Sequence, residues 1–180
     1  VTAASGALST AVLADSFMPA IQTKRGGLAP HALCDLRNAS SVWIVEADNA
    51  RGLRIKAPGA AEPSIPPCAD AVCVLANLDA LGRPLDDRIA HRADRVAALT
   101  RTMPGSVITP PLLLALLTHP QGGFKGIPPS SRRIAVLTQN DATALHPDAA
   151  GLAAALRAAG YDVVAVIAPR AESPVLTIAH

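Results

Sequence analysis

Near the end of the sequence, a strand, a helix and a second strand follow one another directly, and this succession limits the possible folds most strongly. Residues 134–137 are a short aliphatic run, and a helical pattern begins at Pro147. Gly160 ends that helix, and residues 162–167 form the next aliphatic run. The inward face of the helix carries small and aliphatic side chains: Ala149, Leu152, Ala153 and Leu156. Because strands joined through a helix lie parallel with a right-handed crossover, the sequence predicts a parallel sheet covered by helices.

The rest of the sequence supplies further short elements of the same kind. The predicted buried strands are 42–45 and 71–76, and the predicted helices are 30–38, 85–100 and 112–119. Thr109 is the expected N-cap of the helix at 112–119. Half of the residues are hydrophobic but only 2% are aromatic, so the core must consist of aliphatic side chains. We therefore predict one α/β domain over residues 1–180, with a doubly wound, mostly parallel sheet.

Composition and charge argue against several classes of protein. The 16 basic and 14 acidic residues leave a formal charge of +2, which predicts no surface for nucleic acid. No apolar stretch is long enough to cross a bilayer and no signal peptide is visible, so we expect a cytoplasmic protein without a membrane partner. Cys34, Cys68 and Cys73 are odd in number and form no C-x-x-C pair, which favours free thiols in a reducing compartment.

Polar residues follow two of the predicted strands, at the edge of the sheet where ligands bind in such folds. Glu46 and Asp48 follow the run at 42–45, as the acid of a Walker B strand does, and could hold Mg²⁺. Asp141 ends a Thr-Gln-Asn-Asp sequence at the position where GTP-binding proteins read the base. From spacing alone, ordinary explanations are favoured: ion pairs with nearby basic residues for the first pair, and turn formation for Asp141.

Other catalytic patterns are weaker. No G-x-x-x-x-G-K-[S/T] phosphate loop occurs, so the chain alone is expected to bind nucleotide poorly. The five histidines are scattered without metal-ligand spacing. His91 and Arg92 could reach an anion from the start of a helix, although a solvated polar face is the commoner outcome.

Several ordered blocks resemble the YqeC-like family. Residues 45–67 read VEADNARGLRIKAPGAAEPSIPP, and 77–85 read NLDALGRPL. They are followed by AHR at 90–92, ITPPLLLALLTHPQGGFKGIP at 108–128 and LTQND at 137–141. The resemblance implies a three-layer fold like that of P-loop NTPases and a role in maturing selenium-dependent molybdenum hydroxylases. It implies Mg²⁺ with ATP or GTP and a selenium species as cofactors, and a molybdenum hydroxylase or a selenium-delivery protein as partner.

The resemblance also assigns roles to residues. The implied metal ligands are Glu46 and Asp48, the nucleotide or phosphate ligands are Lys56, Arg92, Gln139 and Asp141, and the pocket residues are Glu62 and His91. A simple ion pair remains the alternative for Lys56. The family's phosphate loop precedes these blocks, so the sequence is expected to be either trimmed or lacking that loop, and no turnover is expected from it alone. Two alternatives remain: an ATP-dependent kinase-like or ligase-like enzyme acting on a small acid, and a non-catalytic NTPase-like binding module.

Overall fold

The computed structural model describes residues 16–17, 25–26, 29–35, 42–140, 144–169 and 175–179. The chain divides into two compact units. Unit 1 consists of Val1–Val45 and Ile65–Cys68, and unit 2 consists of Glu46–Ser64 and Ala69–His180. The single domain expected from the sequence stays a prediction.

Unit 1 contains a two-stranded antiparallel ladder, one short helix and a disulfide. Strand β1 (Ser16–Phe17) pairs with β2 (Arg25–Gly26), and helix α1 spans Pro30–Asp35. The prediction of free thiols is wrong for Cys34 and Cys68, whose sulfur atoms are bonded, with their Cα atoms 5.8 Å apart. The two cysteines are 34 residues apart in the sequence, and a pairing that distant depends on the fold rather than on any local pattern.

The predicted strand at 42–45 is also wrong. In the part of the chain that the structure describes, these residues belong to no strand. Val42 is 72% exposed and Ile44 is 93% exposed. An aliphatic run becomes a buried strand only where neighbouring strands and a core receive it, because β-propensity depends on context. Glu46 and Asp48 therefore do not lie at the end of a sheet strand.

In its described residues, unit 2 holds the main sheet and three α-helices. In chain order its elements are β3 (Ile55–Lys56), β4 (Ala71–Asn77), β5 (Ala90–His91), α2 (Ala93–Thr100), α3 (Pro110–Thr118), β6 (Arg132–Thr138), α4 (Ala149–Ala158), β7 (Val163–Ile167) and β8 (Val175–Ala179). The main sheet has the order β4-β6-β7-β8, with β4, β6 and β7 parallel and β8 antiparallel to β7. The α/β class and the predicted strand–helix–strand unit are thus confirmed.

Local signals in the sequence place several helix ends correctly. The Oγ1 atom of Thr109 accepts a hydrogen bond from the N–H of Leu112 at 3.4 Å, which confirms the predicted N-cap of α3. Gly160 follows α4 with a φ of +107°, in the region that favours glycine. The helix predicted at 85–100 is wrong in its first half, because β5 forms there instead and α2 begins only at Ala93.

One face of the main sheet is covered by helices. Helix α4 packs against β7 and β8, α3 contacts α4, and α2 contacts α3. The covered face carries buried side chains that lie opposite one another on neighbouring strands: Ala76, Ala135, Leu137, Val164 and Val166. On the other face, a row of aliphatic side chains crosses all four strands: Leu75, Val136, Ala165 and Ile178. This row is more open, since Leu75 is 62% exposed and Ile178 is 48% exposed. Within the described ranges, no helix is long and apolar enough to span a membrane.

Candidate functional site

A short parallel ladder brings together residues that are far apart in the sequence. Strand β3 pairs with β5 in a register that sets Lys56 opposite His91. The ladder continues for one more residue, since the N–H of Ala57 donates to the carbonyl of His91 at 3.3 Å. Arg92 follows directly, as the N-cap of α2, with a φ of 64°. This left-handed conformation is uncommon for a non-glycine residue, and it separates strand β5 from the helix.

The carboxylate of Glu62 is surrounded by donors at this ladder. Arg92 forms a two-pronged ion pair with it, Nη1 to Oε2 at 2.8 Å and Nη2 to Oε1 at 3.1 Å. The Lys56 Nζ lies 2.8 Å from Oε2, and the N–H of Gly59 donates to the same oxygen at 2.9 Å. We call these donors, the side chains of Lys56 and Arg92 and the N–H of Gly59, the anion cradle. They hold the pKa of Glu62 far below its usual range, with the Arg92 hydrogen bonds as the largest cause and burial acting in the opposite direction.

Lys56 also ties the segment after Val45 to the cradle. Its ammonium group donates to Oδ1 of Asp48 and to the carbonyl of Asn49, the latter at 2.8 Å. The Asn49 side chain in turn donates to Oε1 of Glu46 at 2.7 Å. The Lys56 side chain is only 9% exposed, so its charge needs these partners. The ion pair considered from the sequence for Asp48 is therefore formed, and Glu46 is linked to it through Asn49.

A third cation supports the cradle from the turn after α3. The Nζ of Lys125 donates to the carbonyl oxygens of Gly59 and Ala60, at 3.0 Å to the latter. Two glycines bring this lysine into place. A Cβ at Gly122 or Gly123 would lie 2.2 or 2.0 Å from a carbonyl oxygen at the end of α3, so only glycine fits there. Lys125 ends the G-G-x-K run at 122–125 and was not predicted as a site residue.

His91 lies opposite Lys56 on the ladder. Burial lowers its pKa, the positive charges of Arg92, Lys56 and Arg51 lower it further, and the charge of Glu62 acts in the opposite direction. The lowered pKa favours the neutral imidazole. In that form the ring offers one hydrogen-bond donor and one acceptor.

Gln139, predicted at the end of β6, serves a different arrangement. The Gln139 side chain is 2% exposed, and its Nε2 donates to the carbonyl of Ala144 at 2.6 Å. Its Oε1 accepts a hydrogen bond from the N–H of His146 at 3.0 Å. Gln139 therefore closes the loop between β6 and α4. Asp141 lies outside the described residues, so its role as base reader stays a prediction.

The fit of the cradle region to a metal ion is poor. Among the residues that the structure describes, no three histidine, cysteine, aspartate or glutamate side chains converge on one point. The Oδ1 atom of Asp48 receives hydrogen bonds from Lys56 and from the N–H of Asn49. Because Mg²⁺ can be held by one or two carboxylates with water, the metal role of Glu46 and Asp48 stays a prediction. We derive no chemical step through a metal.

Fold and site together define an α/β protein in which a two-residue ladder carries a cluster of paired charges. The model of the YqeC protein family matches residues 6–94. A relative from Escherichia coli (strain K12), "Uncharacterized protein YqeC", is 35% identical over 115 residues, which are 63% of this chain. The match spans less than half of the relative, 45% of its length. These findings support a YqeC-like family and confirm the resemblance inferred from the sequence. No solved structure matches the chain.

Proposed function

We propose that this YqeC-like chain is part of an accessory protein that helps to mature selenium-dependent molybdenum hydroxylases, with the anion cradle as a phosphate or nucleotide-phosphate site. The selenium link comes from the family resemblance. One observation carries the choice of site: Lys56, Glu62, His91 and Arg92, each singled out in the sequence, meet at one ladder. An arginine fork, an ammonium group and a backbone N–H are the donors that proteins use to hold phosphate.

The fold that we propose for the whole protein is the three-layer, doubly wound sheet of P-loop NTPases. The parallel strands β4, β6 and β7 with a helical crossover support it. In such a fold, helices cover both faces of the sheet. The open row of Leu75, Val136, Ala165 and Ile178 is where a second layer would pack. A crystal structure of the longer protein with this row solvent-exposed would contradict the proposed fold.

The cofactors and location follow the same resemblance. We propose that the full protein uses Mg²⁺ with ATP or GTP, handles a selenium species and works in the cytoplasm. The bond between Cys34 and Cys68 is an observation that opposes the last point, because disulfides are rare in a reducing compartment. Trapping of free thiols in living cells decides this point, since a cytoplasmic protein should give two reactive cysteines at these positions.

The function is tested in selenium-fed cells that depend on the full-length protein. We expect Arg92→Ala to lower hydroxylase activity and its selenium content on the order of tenfold, because one charge-assisted contact is lost. Arg88→Ala is the matched control, since this exposed arginine lies outside the cradle. We also expect the wild-type protein to co-purify with the hydroxylase or with a selenium donor. Full maturation in cells without the protein, or recovery of neither partner, would overturn the proposal.

A second candidate is a binding module without catalysis. It is favoured by the fact that Lys56, Arg92 and Lys125 all have partners within the chain. This reading predicts that a titration of Mg²⁺-ATP or Mg²⁺-GTP gives no heat with the 180-residue chain or with the longer protein. Binding to the longer protein alone would favour the nucleotide-linked function instead.

A further inference from the structure

We propose that Glu62 is an internal plug: its carboxylate fills the anion cradle in place of an external oxyanion, which binds only when Glu62 leaves. The proposal rests on the proposed function, in which the cradle is the ligand site, and adds to it the class of ligand and the means of control. The expected ligand is a phosphate group, free or on a nucleotide.

The donors around Glu62 form a complete site for an oxyanion. Oε2 receives Lys56 Nζ at 2.8 Å, Arg92 Nη1 at 2.8 Å and the N–H of Gly59 at 2.9 Å, while Oε1 receives Arg92 Nη2 at 3.1 Å. These are ordinary lengths for charge-assisted hydrogen bonds to carboxylate or phosphate oxygens. A phosphate oxygen at the position of Oε2 would meet the same three donors.

Space near the cradle is limited by the chain itself. A Cβ built on Gly59 would lie 3.0 Å from Nη2 of Arg92 and 3.4 Å from Oε2 of Glu62. Glycine therefore lets the backbone N–H approach the anion closely, as backbone donors do in phosphate sites. A side chain at this position would push against the guanidinium group.

Lys56 is held more firmly than the carboxylate of Glu62. Lys56 lies on a paired strand with a side chain only 9% exposed, and it keeps a second partner in Asp48. Glu62 lies on a loop, and its side chain is 32% exposed. Lys125 holds that loop at the carbonyls of Gly59 and Ala60, before Glu62. Rotation of the Glu62 side chain toward solvent can therefore open the cradle without disturbing the ladder.

The charge left behind favours an anion. With Glu62 turned out, Asp48 is the one acid paired with the Lys56 and Arg92 cluster among the residues that the structure describes. Lys125 adds a further positive charge on the far side of the loop. Such an excess in a partly buried place attracts an oxyanion, and a cation would be repelled.

The test is a calorimetric titration of inorganic phosphate, and separately of pyrophosphate, into the chain at constant ionic strength. Removing the plug by Glu62→Ala should tighten phosphate binding on the order of tenfold or more, because a competing internal ligand is gone. Asp94→Ala removes the same charge from an exposed acid on α2 outside the cradle, and it should match the wild type. Adding Arg92→Ala to Glu62→Ala should abolish the gain.

Two results would overturn the proposal. Equal, measurable phosphate binding by the wild type and by Glu62→Ala, lost in both when Arg92→Ala is added, means that Glu62 is no plug although the cradle is a ligand site. No phosphate binding by a folded Glu62→Ala chain means that the cradle takes no oxyanion. If Glu62→Ala fails to fold by circular dichroism, Glu62→Gln serves in its place, since it keeps the shape and removes the charge. Hydroxylase maturation is measured separately, so the failure of the plug is distinguishable from failure of the accessory function.

Discussion

The Glu62→Gln substitution gives the most direct measure of what holds the cradle together. The carboxylate accepts two hydrogen bonds from Arg92, one from Lys56 and one from the N–H of Gly59. A hydrogen bond to a buried charged group contributes about 1.5–3 kcal/mol, whereas exposed ion pairs contribute about 0.2–1 kcal/mol. Because both the Glu62 and Arg92 side chains are 32% exposed, solvent screens the pair. We expect the free energy of unfolding at pH 7 to fall by about 1–2 kcal/mol.

The pH dependence of this loss identifies its cause. The donors depress the pKa of Glu62, so its contribution to stability is fully present above the unfolded pKa of about 4.3. The contribution is lost as pH falls toward the lower folded pKa. The difference between wild type and Glu62→Gln should therefore be largest near pH 7 and should shrink steadily from about pH 4 downward.

Urea denaturation followed by far-ultraviolet circular dichroism, at pH 7 and at pH 3, measures both quantities. Glu46→Gln is the control, because Glu46 has one hydrogen bond with Asn49, and its loss should stay within about 0.5 kcal/mol. A loss in Glu62→Gln that is equal at the two pH values would refute the reasoning, because it would place the effect in packing rather than in charge.

Three further predictions concern the core and the disulfide. Tyr161→Phe should lower the free energy of unfolding by about 1–2 kcal/mol, because the buried hydroxyl donates to the carbonyl of Leu117 at 2.7 Å and that oxygen is left without its partner. Leu137→Ala should cost about 2–5 kcal/mol in the same urea experiment, since this fully buried side chain leaves a cavity in the middle of the sheet. A thiol assay on the unfolded, oxidised chain should find one reactive cysteine, and three after reduction, because Cys34 and Cys68 are bonded; three without reduction would contradict the disulfide.

Much of the main sheet could be predicted because its signals are local. The runs at Ala71–Asn77 and Val163–Ile167 are aliphatic, short and bounded by residues that end strands, so each can be recognised alone. The helix between β6 and β7 has its own periodic face and a glycine at its end. The parallel pairing of β6 and β7 then follows from their connection, because two strands of one sheet that are joined through a helix almost always lie parallel.

The failures share a different cause. The run at 42–45 has the composition of a buried strand, yet it belongs to no described strand, because composition carries no information about the neighbours that a strand needs. Ala90–His91 lies within the helix predicted at 85–100, but these two residues pair with Ile55–Lys56 and form a strand instead. The disulfide likewise depends on which segments meet in space. In each case a contact between distant residues overrides the local preference.

The candidate site could be predicted from the sequence only in part. Family resemblance supplied the names of Lys56, Glu62 and Arg92 but not their mutual geometry, which depends on a ladder of only two residue pairs. Lys125 could have been found only by knowing that the glycines before it lie against the end of α3. The partners of Lys125 are backbone carbonyl oxygens, which leave no signal in the sequence. Lys125 therefore becomes a candidate site residue only once the structure shows these contacts.

The charge of the whole chain also conceals the site, for a physical reason. A net charge of +2 predicts no basic surface, and none is needed here, because the cations of the site are balanced by nearby acids. Lys56, Arg92 and Lys125 contribute +3 and Asp48 and Glu62 contribute −2, so the resting cluster carries +1. Turning Glu62 outward raises that local charge to +2 without any change in composition. An anion site controlled by one movable carboxylate therefore leaves no trace in overall charge, and can be recognised only from the contacts of that carboxylate.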